Sequence, residues 1–134
     1  MITAAYVEGD RLRISVRGHE MFTDQLVADG GADTAATPTE LFIGALAACI
    51  GFYGERYMRR HGLDPSGLTV TCGFEWAENP HRIGAIDVNV DAPALTADRR
   101  EAFMRVVERC TIHNTLQAPP AVRINVAATR AAVA

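Results

Sequence analysis

The side chains best suited to chemistry are three thiols, Cys49, Cys72 and Cys110. A thiolate is both nucleophile and metal ligand, and its reactivity follows its pKa. Cys72 shares a strand face with Val70, Phe74 and Trp76, the setting of a small buried hydrophobe. Cys49 falls mid-helix on a stripe with Phe42, Ala45, Phe52, Tyr53 and Arg56, taking about 100° per residue. That stripe suits a core cysteine as well as a reactive one. A mid-helix thiol gains nothing from a helix N-terminus, so a lowered pKa requires an arginine placed against it. Cys110 is expected to end a second helix, three residues before His113. Cys-x-x-His is half of a zinc site, but no second close pair accompanies it, so no metal is expected. His113 then reads first as a polar residue without a role. If the two helices pack together, Cys49 and Cys110 come within the Cα separation of about 5.5–6 Å that a disulfide needs.

Other chemistries lack their residues. There is no Gly-rich phosphate loop with Lys-Ser/Thr, no dinucleotide fingerprint and no His-Glu-x-x-His. Ser15 and Ser66 have no nucleophile-elbow context. All 13 basic residues are arginine, so no lysine amine is available for a Schiff base. Against 16 acidic residues they leave a net charge of −3, which gives no electrostatic attraction to nucleic acid or an anionic membrane. The uncharged run Leu41–Tyr53 is shorter than the roughly 20 residues that span a bilayer. Met1–Asp10 has no basic n-region of a signal peptide, and three sparse cysteines do not make a secreted disulfide scaffold. The expectation is a cytoplasmic protein with a single domain over residues 1–134, since that length leaves no room for a second core.

The elements that must position the thiols follow from local pattern. Leu12, Ile14 and Val16 alternate with arginines and Ser15 as a half-buried strand, Gly18-His19 turns, and Met21 to Val27 reads as its hairpin partner. The stretch 29–37, rich in Gly, Ala, Asp and Thr, is a loop. Thr37 as N-cap, Pro38 at the first helical position and Glu40 three residues after the cap predict a helix to about His61, stopped by Gly62 and Pro65. Its first half is apolar on every side, which predicts burial all round and a partner subunit to provide the cover. Two strands through Val70–Trp76 and Ile86–Val90 join at Asn79-Pro80. A helix starts near Thr96, and a short turn spans Thr111–Leu116. A last strand through Val122, Ile124 and Val126 precedes an Ala-rich tail expected to fray. This order predicts an α+β fold with a largely antiparallel sheet.

Two segments resemble a known family. Thr37-Pro38-Thr39-Glu40-Leu41 followed by Ile43-Gly44-Ala45-Leu46-Ala47-Ala48-Cys49 is similar to the central-helix motif of the OsmC/Ohr family, the osmotically inducible and organic hydroperoxide resistance proteins. Cys110-Thr111-Ile112-His113-Asn114-Thr115-Leu116 resembles that family's second cysteine segment, and the order of elements agrees over nearly the whole chain. Arg17-Gly18-His19-Glu20 and the approach 33–40 look most like the short OsmC-like branch.

The resemblance implies an OsmC-like fold in an intertwined homodimer, with a buried central helix and active sites at the subunit interface. It implies a thiol-dependent peroxidase in oxidative-stress defence, acting on organic hydroperoxides or hydrogen peroxide. Cys49 would be the peroxidatic residue and Cys110 the resolving one, with an external dithiol as reductant and no cofactor. Two positions depart from the family pattern. Thr39 stands where the family has a glutamate that pairs with the catalytic arginine, and Thr111 replaces the usual proline after the second cysteine. Glu40 projects opposite Cys49 and about 13 Å along the helix, so it caps its own helix or serves the other copy. For the activating arginine, Arg17 from the N-terminal hairpin comes before Arg56, with Arg11 and Arg13 also in that hairpin. Two other classes stay open: a non-catalytic dimer that binds a small apolar ligand, and a thiol redox sensor.

Overall fold

In the computed structural model, which describes residues 1–127, Ile2–Glu8 (β1), Arg11–Val16 (β2) and His19–Thr23 (β3) form an antiparallel sheet in the order β1-β2-β3. β1 is an addition to the expected hairpin, held by its register with β2 from Ile2 opposite Val16. The β2–β3 turn places Arg17 and Gly18 in left-handed backbone (φ 49° and 84°), the geometry whose twist matches the flanking strands. β3 stops at Thr23 instead of running on to Val27. The cause is Asp24, whose buried carboxylate turns back on the chain. It accepts from the backbone N–H of Gln25 at 2.8 Å and of Thr34 at 2.9 Å, and from the Thr34 hydroxyl at 2.7 Å. These bonds, the Thr34 hydroxyl first, lower its pKa to about 2.

The long helix α1 covers Pro38–Arg60 and starts as its cap residues dictate. Thr37 Oγ1 accepts from Glu40 N at 3.2 Å, and Glu40 Oε2 accepts from Thr37 N at 2.7 Å, a closed capping box. Gly62 in left-handed backbone (φ 68°) follows the helix end. One face of α1 buries Ile43, Leu46, Ile50, Gly54, Tyr57 and Met58. The other is open, with Phe42 and Phe52 exposed at 42% and 52%. Burial all round is therefore not met within one chain, because the β1–β3 sheet makes no extended packing contact with α1.

Thr69–Ala77 (β4) and Arg82–Asp91 (β5) pair antiparallel as a second sheet, and β4 lies against α1. Val70, Cys72 and Phe74 are half-buried on the expected face, but the register shifts between Glu75 and Trp76, and Trp76 is half exposed, edge-on to Phe74 at 5.3 Å and stacked on His81 at 4.5 Å. A 3-10 turn at Ala97–Arg99 leads into α2, Arg100–Val107, and then α3, Thr111–Gln117. The core joins Leu46, Ile50, Tyr57 and Met58 of α1 to Phe103 and Val107 of α2 and to Cys110. Gly54 lets α2 approach: a Cβ there would lie 3.0 Å from the Phe103 ring.

Residues 121–127 carry no regular structure, so the expected last strand through Val122, Ile124 and Val126 is not formed. A strand needs a neighbour for its backbone bonds, and neither sheet takes this segment up. The expected fraying of the Ala-rich tail falls on 128–134, outside the described residues. The fold is α+β with antiparallel strands and three α-helices among the described residues. No helix there is long and apolar enough to cross a membrane.

Candidate functional site

Cys110 does not end α2. The helix stops at Val107, and Cys110 adopts an extended backbone (φ −61°, ψ 146°) as the N-cap of α3. Its Sγ accepts from the His113 backbone N–H at 3.3 Å, the place usually taken by a Ser, Thr, Asp or Asn oxygen. The thiol is fully shielded from solvent, in one cluster with Leu46, Ile50 and Val107. Cys49, half-buried on α1, packs against the same cluster. Cys49 adjoins Cys110 in this cluster closely enough to influence its titration, and both thiols are free. Burial, the largest influence, pushes the Cys110 thiol above its ordinary 9.0. The His113 N–H opposes that shift, while the adjoining Cys49 adds to it. Cys72 lies on β4 opposite Val88, where burial also raises its thiol.

A second link crosses beside the thiols. Tyr53, one turn beyond Cys49 on α1, has its hydroxyl 3.2 Å from Thr111 Oγ1, next to Cys110. His113 closes the α2–α3 corner. Its Nε2 lies 3.3 Å from the Gln117 amide nitrogen, a donor, so Nε2 accepts and Nδ1–H donates to the Glu108 carbonyl. Both ring nitrogens are thus engaged within the chain.

The structure brings Cys49 and Cys110 together and leaves the other expected residues elsewhere. Arg17 sits exposed at the β2–β3 turn, on the sheet that makes no extended packing contact with α1. Arg56 lies over the Phe52 ring at 5.3 Å. Arg13 pairs with Glu20 at 3.6 Å, and Arg11 covers the Phe22 ring at 4.2 Å. Glu40 is occupied in the cap of α1. An open cleft of about 980 Å³ is lined by Leu46, Ile50, Val90, Phe103, Met104 and His113, and neither Cys49 nor Cys110 lines it. The Tyr53–Thr111 contact joins residues 58 positions apart and has no local signature. In the sequence Tyr53 is marked only by its place on the Cys49 stripe, and nothing around Thr111 points to it.

Two adjoining free thiols, one partly open and one shielded, thus lie where α1 meets the start of α3. The family model described as OsmC-like protein matches residues 30–125, which contain all three cysteines and the three α-helices. The chain belongs to the OsmC-like protein family. Solved structures agree in fold with this OsmC-like chain. A candidate osmotic stress induced and detoxification response protein from Psychrobacter arcticus is 20% identical with a TM-score of 0.78, over 85% of each chain. The OsmC-like protein of Mycoplasma pneumoniae is 19% identical with a TM-score of 0.73, over 89% of this chain and 87% of its own. An organic hydroperoxide resistance protein OsmC from Legionella pneumophila is 16% identical with a TM-score of 0.67, over 87% and 89%. No curated protein sequence gives a significant match.

Proposed function

We propose that this OsmC-like protein is a thiol-dependent peroxidase that reduces organic hydroperoxides in oxidative-stress defence, with Cys49 peroxidatic and Cys110 resolving. The observation that carries the reading is the pairing of a half-buried Cys49 with a fully shielded Cys110 at the α1–α3 junction. In the first step the Cys49 thiolate attacks the outer peroxide oxygen. The O–O bond breaks, Cys49 becomes a sulfenic acid, and the alkoxide leaves and takes a proton. In the second, the Cys110 thiolate attacks the Cys49 sulfur, the S–S bond forms, and the sulfenic hydroxyl leaves as water. An external dithiol then reduces the disulfide by exchange. The apolar stripe of α1 around Cys49, with Phe42 and Phe52, favours an alkyl hydroperoxide over hydrogen peroxide. The name of the Legionella pneumophila relative points the same way.

The working form is a homodimer located in the cytoplasm. Support for a second copy comes from the open face of α1 with Phe42 and Phe52, from the β1–β3 sheet that stands apart, and from the unpaired segment 121–127. In that assembly Arg17 of one copy is the first candidate to activate Cys49 of the other, with Arg56 as the alternative. Glu40 keeps its capping role.

Peroxide turnover tests the proposal. The wild type should consume cumene hydroperoxide with a dithiol present, Cys49→Ser should not, and Cys110→Ser should lose turnover with the dithiol while still making a sulfenic acid. Undiminished consumption by Cys49→Ser would overturn it. A non-catalytic apolar-ligand binder is favoured by one observation, the 980 Å³ cleft with Leu46, Ile50 and Phe103 in its wall. An inactive wild type that takes up an apolar fluorophore would support that reading instead.

A further inference from the structure

α1 and α3 meet through two side-by-side contacts. Cys49 packs into the cluster that holds Cys110, and one turn along α1 the Tyr53 hydroxyl meets Thr111 Oγ1 at 3.2 Å. Residues four apart lie on one helix face, so Cys49 and Tyr53 address the same neighbour. On the other side Thr111 directly follows Cys110, and the Cys110 sulfur is tied into the first turn of α3 by the His113 N–H at 3.3 Å. The position of that sulfur therefore follows the first turn of α3. A side-chain bond that fixes this turn against α1 is the one from Tyr53. Disulfide closure needs a narrow geometry, with S–S about 2.05 Å and Cβ atoms about 3.8 Å apart, so a small drift of α3 removes the alignment.

We propose that Tyr53 and Thr111 are positioning residues for closure of the Cys49–Cys110 disulfide. This rests on the peroxidase reading for its chemistry. Neither hydroxyl takes part in the reaction: the Cys110 thiolate attacks the sulfenic sulfur of Cys49, the S–O bond breaks, and the released hydroxide is protonated to water. The Tyr53–Thr111 bond raises the fraction of molecules whose sulfurs are aligned for that attack. It acts on the second step and leaves the first, at Cys49 alone, unchanged.

The test is rapid mixing with one equivalent of cumene hydroperoxide, following sulfenic acid formation and disulfide closure separately in the wild type, Tyr53→Phe, Thr111→Val, the double variant and Thr111→Ser. Closure should slow about fivefold in either single variant, the rate equivalent of one neutral hydrogen bond, while sulfenic acid forms at the wild-type rate. The double variant should be no slower than the singles, because they remove the same bond. Thr111→Ser, which keeps the hydroxyl, should restore closure. Unchanged closure, equal slowing of both phases, or losses that multiply in the double variant would overturn the proposal. Oxidation by glutathione disulfide separates this claim from the peroxidase reading. It closes the same disulfide without peroxide while two molecules of glutathione are released. If peroxide makes no sulfenic acid but the variants still slow closure fivefold in the glutathione reaction, the peroxidase reading fails and the positioning role stands. If they close at the wild-type rate, the positioning role fails.

Discussion

The buried resolving thiol makes disulfide closure strongly dependent on pH. Burial, the largest influence, holds Cys110 above 9.0. The contributions from Cys49 change when that residue becomes a sulfenic acid, but burial in the core, the largest influence on Cys110, stays. A thiol with pKa at or above 9 is less than about 1% thiolate at pH 7, and each unit of pH below the pKa changes that fraction about tenfold. Closure should therefore accelerate about a hundredfold between pH 6 and pH 8. The assay is quenched flow after one equivalent of cumene hydroperoxide, with the Cys49–Cys110 disulfide quantified by mass spectrometry and sulfenic acid trapped in parallel. A closure rate that changes less than about threefold over that range would refute the reasoning, because a thiolate fraction set by burial cannot be flat there. The same shift acts on stability. With folded-state values raised above 9.0, Cys72 and Cys110 contribute stability below that pH that is lost as pH rises through the folded-state values.

Two further outcomes follow from packing and from the loop after β3. Phe103, 2% exposed and edge-on to Tyr57 at 5.6 Å, holds α2 against α1. Phe103→Ala should cost about 3–5 kcal/mol and lower the melting temperature by roughly 10–15 °C, whereas a loss below about 1 kcal/mol in chemical denaturation would contradict this packing. Asp24 is lowered to about 2 from 3.8, so its contribution is fully present above 3.8 and is lost as pH falls toward 2. The gap in melting temperature between the wild type and Asp24→Asn should shrink from pH 5 to pH 2. A constant gap would show that the carboxylate bonds of Asp24 do not hold the loop.

Where structure rests on neighbours in sequence, it was legible there. α1 announced both ends, since Thr37, Pro38 and Glu40 satisfy its first turn and Gly62 supplies the left-handed residue that stops it. β4 and β5 followed from alternation around Asn79-Pro80. Features that rest on distant partners were not legible. Ile2–Glu8 has weak alternation and becomes a strand because β2 lies beside it. β3 ends early because Asp24 reaches Thr34, ten residues on. The break between α2 and α3 rests on a cysteine acting as N-cap, a role rarely filled by that residue. Val122, Ile124 and Val126 have the period of a strand but no sheet edge taking them up. At the site, the two cysteines were readable as a pair from their segments, while the hydroxyl contact between Tyr53 and Thr111 depends on how α3 docks.

The most direct measurement of the central claim is thiol titration with peptide mapping after one equivalent of cumene hydroperoxide, without reductant. The account predicts that two thiols per chain are lost, that Cys49 and Cys110 of one chain are found joined, and that Cys72 remains free. Loss of no thiol, or recovery of Cys72 in the main disulfide, would contradict it.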